Sequence, residues 1–484
     1  MAQNHNGSSF GVEIEFVIAV IIGDDEPGIP ERFEHARGRP IRLQPDVRYQ
    51  GETYKRIREV INGVLEDFCG NRVLDGLTPD EIQRGIGQPL LPYRDWIVKN
   101  DPTVLVTREE LGERHISEYG WQSVEITSPA LWATDRSFEE VHRVVTALSE
   151  HFWVFSPETA GLHVHYGRGL GIIPIRELRR IAAFLYAADP VLVRMHAPRR
   201  STEEWCPSNR LYSAMANGIP PEEMAAYVDR NYRYDVPPPT EPPERVAQPD
   251  ARRVQTARGF VPLFQRGILD GYVFDVAKFI MLKSDFITED IQEFLPGSHP
   301  DRPLAIRTAA SAFLRSRDYT SIALYNQSSF ADRMAYNFHR YVDGYDLESH
   351  TIEFRQPAGT VNADEVVAHA RISVRLADYA SSAPLPEIWM LILDLAQSEY
   401  NSEWYDVFDL LADLGLHEEA RVIERQVARE HGIEVDDTIW EIRRSPYSQF
   451  TLNQLVFRLA FLSRPQPEGE FVVYRDRPRG PLEE

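Results

Sequence analysis

The sequence has little cysteine: Cys69 and Cys206 are the only two in 484 residues. Two thiols cannot staple a chain of this length, and the absence of any CxxC pair excludes a zinc knuckle, so the expected compartment is a reducing one. Long apolar runs are also missing. The longest early run, Phe16 to Ile22, falls far short of the ~20 residues that span a bilayer. Residues 1–10 carry no lysine or arginine, the charged start of a secretory leader. The expectation is a soluble, cytoplasmic protein without a membrane partner. Basic residues are in deficit as well, 52 against 74 acidic, giving a formal net charge of −22. Such a chain repels a phosphate backbone, which disfavours nucleic acid as a partner. A phosphate-bearing small ligand must therefore meet a local arginine cluster or a metal ion.

What is present is an ordinary globular mix, 43% apolar and 26% charged. At roughly 150 residues per domain, the length allows about three domains. Phe10 to Ile22 alternates and then turns wholly apolar, rich in Val and Ile, and reads as a long central strand. Residues 24–52, dotted with Pro and Gly, read as a loop or flap. Tyr54–Phe68 and Ser137–Trp153 read as helices, and Trp96–Val106, Tyr119–Thr127, Gly161–Tyr166 and Thr351–Gln356 as strands. Pro174 opens a helix that Asp189-Pro190 is expected to interrupt. Residues 217–258, with the run VPPPTEPPER, fit no core element and read as an insert. Asn362 and Glu365 form a capping-box-like pair at the start of a helix. Beyond about residue 386 the pattern is helical, with a stripe of Leu416, Ala420, Ile423 and Val427 ended by Gly432. Strands mixed irregularly with helices predict an α+β fold on an antiparallel sheet, with residues 1–385 as one domain and 386–484 as a helical region.

Four of these strands carry ionisable groups at alternate positions. Glu13 and Glu15 share one strand face, roughly 6–7 Å apart, while Val12, Ile14 and Phe16 cover the other. Glu125 shares a face with Trp121 and Ser123, His163 with His165, and Glu353 with Arg355. Each pattern alone is commonly a solvated sheet face, an incidental HxH or a weak cross-strand ion pair. If all four faces lined one cavity, the crowded carboxylates would each face a cost of several kcal/mol, which divalent cations would offset. Oxygen ligands with one or two imidazoles favour Mg²⁺ or Mn²⁺ over zinc, and such a cage points towards ATP.

The ordered set GVEIEF (11–16), WIVKNDPTV (96–104), YGWQSVEITSP (119–129), GLHVHYG (161–167) and HTIEFRQPAGT (350–360) resembles the fungal-type amidoligases. These are relatives of glutamate–cysteine ligase and glutamine synthetase in the carboxylate–amine ligase group. The resemblance spans roughly residues 10 to 380. It implies a glutamine-synthetase-like catalytic fold, in which a curved antiparallel sheet forms a funnel holding ATP and two or three divalent metals. By motif position it implies Glu13, Glu15, Glu125, His163 and Glu353 as metal ligands, His165 facing phosphate, and Arg355 neutralising the transferring phosphoryl group. More loosely, it suggests Arg199, Arg200 and Arg210 as phosphate contacts and Tyr325 and Asn326 as residues that orient substrate. Asp101 is a candidate to take the amine's proton, although an Asp before Pro commonly forms a turn. Glutamine synthetase has a small domain ahead of these strands, for which the position of Glu13 leaves no room; the ring assembly is therefore not implied.

The implied function is an ATP- and Mg²⁺-dependent ligase that joins an amino acid or other carboxylic acid to an amine through an acyl phosphate. The alternatives from other classes are a small-molecule phosphotransferase on the same fold and a non-catalytic nucleotide or amino-acid binder. A hydrolase built on His163-x-His165 would need further ligands, and His339, His350 and His369 offer no pattern for it.

Overall fold

The computed structural model describes residues 7–24, 26–44, 50–69, 73–75, 95–169, 171–197, 200, 205–216, 221–231, 305–327, 333–342, 350–400 and 405–430. Contacts divide the chain into two compact units, Met1–Gly171 with Glu353–Val374, and Ile172–Ile352 with Arg375–Glu484.

The sheet grows around β1 (Ser9–Ile22), a Val- and Ile-rich strand long enough to pair with several partners. The other strands are β2 (Ile41–Leu43), β3 (Val73–Asp75), β4 (Trp96–Lys99), β5 (Gly120–Thr127), β6 (Leu131–Trp132), β7 (Val154–Phe155), β8 (Leu162–Gly167), β9 (Tyr336–Asn337) and β10 (Ile352–Phe354). In the first unit the order runs β3-β4-β5-β1-β8-β10, and β2, β6 and β7 also pair with β1. The sheet is open, and the pairings of β1 with β5 and β8 are antiparallel. Mixed helix and an antiparallel sheet bear out the α+β expectation.

The even-numbered residues Val12, Ile14, Phe16 and Ile18 are fully buried. On this side Phe10 stacks on Phe138 of the Asp135–His151 helix, with ring centroids 4.5 Å apart. The odd-numbered face changes character along its length. Glu13 and Glu15 give way to Val17, Ala19 and Ile21, which pack with Phe33, Tyr119, Trp153 and Phe155 in a small aromatic core. The polar face is thus closed at one end by apolar packing.

Several elements differ from the sequence expectation. The stretch 24–52 is not simply a flap: Ile41–Leu43 pairs in parallel with Val20–Ile22, and Phe33 stacks on Trp153 at 5.1 Å. The strand from Trp96 stops at Lys99, because Asp101 Oδ1 accepts from the Thr103 backbone N–H at 2.8 Å and makes a turn. In the second unit the Ile175–Leu192 helix runs through Pro190 without interruption. It is buried on nearly every side, and that burial outweighs the hydrogen bond Pro190 cannot donate. It packs against the Ile306–Arg315 and Leu385–Tyr400 helices. Pro221–Asn231, within the expected insert, is a helix that buries Met224 and Val228. The VPPPTEPPER run and Gly432 lie outside the described residues.

Asn362 caps the Ala363–Ser382 helix through the Asp364 N–H at 3.0 Å, but Glu365 accepts from the Thr360 hydroxyl instead, so only half of a capping box forms. The stripe Leu416, Ala420, Ile423 and Val427 is buried as expected. Among the described residues, no helix is long and apolar enough to cross a membrane.

Candidate functional site

Strand register brings the charged groups into two rows. In one row Thr127 of β5, Glu13 of β1 and His163 of β8 lie side by side. In the next, Lys99 of β4, Glu125 of β5 and Glu15 of β1 do so. Antiparallel pairing with a period of two sets neighbouring side chains on one face. The β8 backbone is fixed against the chain that follows β10. Leu162 donates to the Pro357 carbonyl at 3.0 Å and Gly359 to the Ala160 carbonyl at 2.9 Å. A Cβ at Gly359 would lie 2.6 Å from the Ala160 Cβ, so this approach requires glycine. Glu353 and Arg355 are thereby held beside β8.

The first row and β10 form a tight cluster. His163 Nδ1 lies 3.2 Å from Glu13 Oε2 and 3.7 Å from both Glu15 Oε1 and Glu353 Oε1. His165 Nε2 lies 3.2 Å from Glu13 Oε1 and 4.0 Å from Glu353 Oε1. Arg355 Nη1 donates to Glu353 Oε1. Ligand atoms of Glu13, His165 and Glu353 all lie within 4.8 Å of one another.

The second row is satisfied from within. Lys99 Nζ sits 2.8 Å from Glu125 Oε1, which also accepts from the Thr127 hydroxyl at 3.3 Å. Glu15 Oε2 accepts the Gly161 backbone N–H at 2.6 Å. Glu15, Glu125, His163 and Glu353 are buried, whereas Glu13, His165 and Arg355 are partly open.

These environments separate the carboxyls. Burial opposes ionisation of Glu13, but His165 and His163 hold its carboxyl well below the ordinary carboxylate range. Burial likewise opposes ionisation of Glu353, and Arg355 with the two histidines outweighs it, lowering its pKa. For Glu125, burial and the charge of Glu13 prevail over Lys99 and push the carboxyl up to about 8. Burial disfavours the charged form of Lys99, but Glu125, Glu13 and Asp101 outweigh that and raise its pKa.

The donor set suits a divalent cation. Among the described residues, four carboxyl groups share one partly dry face with Lys99, Arg355 and two imidazoles, an arrangement in which a divalent cation offsets the cost of burying charge. An octahedral ion with bonds of about 2.1 Å holds its ligands about 3.0 Å apart in cis and about 4.2 Å in trans. The two His165 separations fall in that range. Carboxylate oxygen with one imidazole is the chemistry of Mg²⁺ or Mn²⁺.

The remaining candidates are placed differently. Asp101 Oδ1 is held by the Thr103 backbone and hydroxyl, at 2.8 and 2.6 Å. Arg210 is buried in the second unit, donating its backbone N–H to Asp189 and its side chain to the Tyr186 hydroxyl at 2.9 Å. Asn326 is buried, donating to the Ile322 carbonyl at 2.9 Å, and Tyr325 packs edge-on against Phe313. Arg200 is buried. Arg199 lies outside the described residues. Motif reading missed Lys99, and also Asn100, whose Oδ1 accepts from the Ser123 hydroxyl at 2.7 Å. The sequence signal is weak, because Trp96, Ile97 and Val98 are all apolar; the burial of Trp96 and Val98 is what sets Lys99 on the face of the carboxylates.

Residues 6–217 match a family described as "Putative amidoligase enzyme". The matched stretch contains β1 to β8 with Glu13, Glu15, Lys99, Glu125, His163 and His165, and ends before Glu353 and Arg355. It supports ligase-type chemistry in general, on small-molecule substrates. No curated protein and no solved structure matches the chain.

Proposed function

We propose that the protein is an ATP- and Mg²⁺-dependent carboxylate–amine ligase that forms an amide or isopeptide bond through an acyl phosphate. The observation that carries this reading is the convergence of Glu13, His165 and Glu353, with Arg355 paired to Glu353, on one sheet face. A resting carboxylate is a poor electrophile. Its oxygen attacks the γ-phosphorus, ADP leaves, and the acyl carbon then carries a good leaving group. The amine nitrogen attacks that carbon, the C–O bond to phosphate breaks, and inorganic phosphate departs.

Glu13, His165 and Glu353 would hold the cation, whose charge supplies electrostatic stabilisation of the transferring phosphoryl oxygens. Arg355 is partly open and adds a fixed positive charge that does not titrate near neutrality. His163, surrounded by Glu13, Glu15 and Glu353, fixes those carboxylates in place. The ammonium proton must pass to a base before attack, and Asp101, whose charge is felt by Lys99, is the candidate acceptor.

The test is ADP release by the purified protein with Mg²⁺ATP, screening acidic amino acids against a mixed amine pool. Acid-dependent ADP release that falls by about 10²–10³-fold in Glu353→Ala and Glu13→Ala, the scale on which lost transition-state charge stabilisation is felt, supports the reading. Full activity in both variants sinks it, and a stable phosphorylated product assigns a kinase instead.

A further inference from the structure

We infer that Lys99 is a built-in monovalent cation that takes the place of a second metal ion, so that the acidic face holds one divalent cation, at Glu13, His165 and Glu353. The inference rests on the metal-dependent reading above and departs from the two or three ions, with Glu15 and Glu125 among their ligands, that the resemblance implies.

The two rows of the face differ in how their charge is met. Lys99, Glu125 and Glu15 are successive neighbours across β4, β5 and β1. The Lys99 ammonium lies 2.8 Å from Glu125, on a strand position fixed by the buried Trp96 and Val98. Glu15 spends one oxygen on the Gly161 N–H at 2.6 Å and points the other at His163, 3.7 Å away. A cation between Glu15 and Glu125 would have to displace both arrangements and lie against an ammonium. The fixed ammonium would repel such an ion even where the effective dielectric is about 20.

The first row has no lysine. Ile97 and Thr127 occupy the positions that precede Glu13 in register, so His163, and no lysine, is the basic neighbour of Glu13 in that row among the described residues. Arg355 pairs with Glu353 Oε1 on β10, and ligand atoms of Glu13, His165 and Glu353 lie within 4.8 Å of one another. The part of the face where three ligand atoms lie within 4.8 Å of one another is therefore the part that no lysine enters. Glu15 and Glu125 become positioning residues: Glu15 orients His163 and the β8 backbone, and Glu125 anchors Lys99.

The experiment counts Mn²⁺ on the full chain by equilibrium dialysis and electron paramagnetic resonance, without nucleotide. One tight Mn²⁺ is expected for the wild type. Glu125→Gln should keep it with affinity within about tenfold, and Glu13→Gln should lose more than about 100-fold, beyond what changes outside the ligand shell cost. Lys99→Met should admit a second ion, while Lys99→Arg should not; melting curves check that each variant is folded. Two tight ions in the wild type, one of them lost in Glu125→Gln, would overturn the inference while leaving the metal-dependent ligase standing. A single ion in a folded Lys99→Met protein would also overturn it. No Mn²⁺ binding at all would overturn the metal-dependent reading, and this inference with it.

Discussion

At the scale of single residues, the site shows how one face can hold carboxyl groups in opposite states. Glu13 and Glu353 are kept ionised by histidines and Arg355, whereas Glu125 is pushed up to about 8 by burial and by Glu13. The direction fixes a pH dependence. A carboxyl raised on folding contributes stability that is fully present below its unfolded pKa and is lost as pH rises through its folded value. Glu13 and Glu353 act the other way: their contribution is present above the ordinary carboxylate range and is lost as pH falls through their lowered values. Metal-free protein should therefore lose stability on account of Glu125 as pH rises from its ordinary value of 4.5 to about 8. Glu125→Gln, which keeps the shape of the protonated acid, should flatten that limb and raise the melting temperature on its alkaline side. Melting curves in chelator across that range check it; an unchanged slope would show that Glu125 is ionised throughout. The ionisable residues themselves were legible in the sequence, because strand alternation alone assigns Glu13, Glu15, Glu125, His163, His165, Glu353 and Arg355 to polar faces. What alternation could not give was which face met which, since that depends on register between strands far apart in the chain. Lys99 shows the cost: it is in phase with the carboxylates, but its strand ends there and no repeat draws attention to it.

At the scale of elements, tertiary packing explains where sequence patterns misled. Proline at 190 and the proline- and glycine-rich stretch 24–52 are local signals of interruption. The Ile175–Leu192 helix overrides the first because burial on nearly every side exceeds the cost of one lost hydrogen bond. The second is drawn into the fold by Ile41, Leu43 and Phe33, apolar residues too sparse to show a period. Glycines separate into two kinds on the same reasoning. Gly359 lets the backbone after β10 lie against Ala160, and that contact sets the depth of Glu353 and Arg355. Gly359→Ala should destabilise by about 1–3 kcal/mol, as overpacking does, and should lower turnover through displacement of β10. Gly63, exposed within the Gln50–Cys69 helix, should behave oppositely, because a Cβ added there would meet nothing within 4 Å. Gly63→Ala should stabilise by about 1 kcal/mol through helix propensity, with activity unchanged. Denaturant melts and ADP release on the two variants check the contrast, and equal effects would mean that the Gly359 contact does not constrain the site.

At the scale of the whole molecule, the chain leaves its first unit at Gly171 and returns to it at Glu353. No composition shift marks that return, so the grouping of β10 with the N-terminal strands was legible only through the likeness of TIEFRQ to a motif, and not from periodicity. The family match, which ends at residue 217, also stops before it. Overall charge is the one global property the sequence states outright, and it bears on nucleotide binding. A chain of net charge −22, with Glu13 and Glu353 held ionised on its site face, repels free ATP at long range. A divalent cation removes part of the ligand's charge and offsets part of the site's. Mg²⁺ATP at 100 times its dissociation constant should therefore stabilise the folded chain by about 2.7 kcal/mol. ATP in excess chelator should shift the melting temperature little at low salt, and the difference should narrow as salt screens the repulsion. Glu353→Gln removes a ligand of the cation, so the Mg²⁺ATP shift should shrink there even though the site has become less acidic. Melting curves with ATP, Mg²⁺ATP and Mg²⁺ alone separate these contributions; an equal shift with ATP in chelator would mean that arginines rather than a cation receive the phosphates.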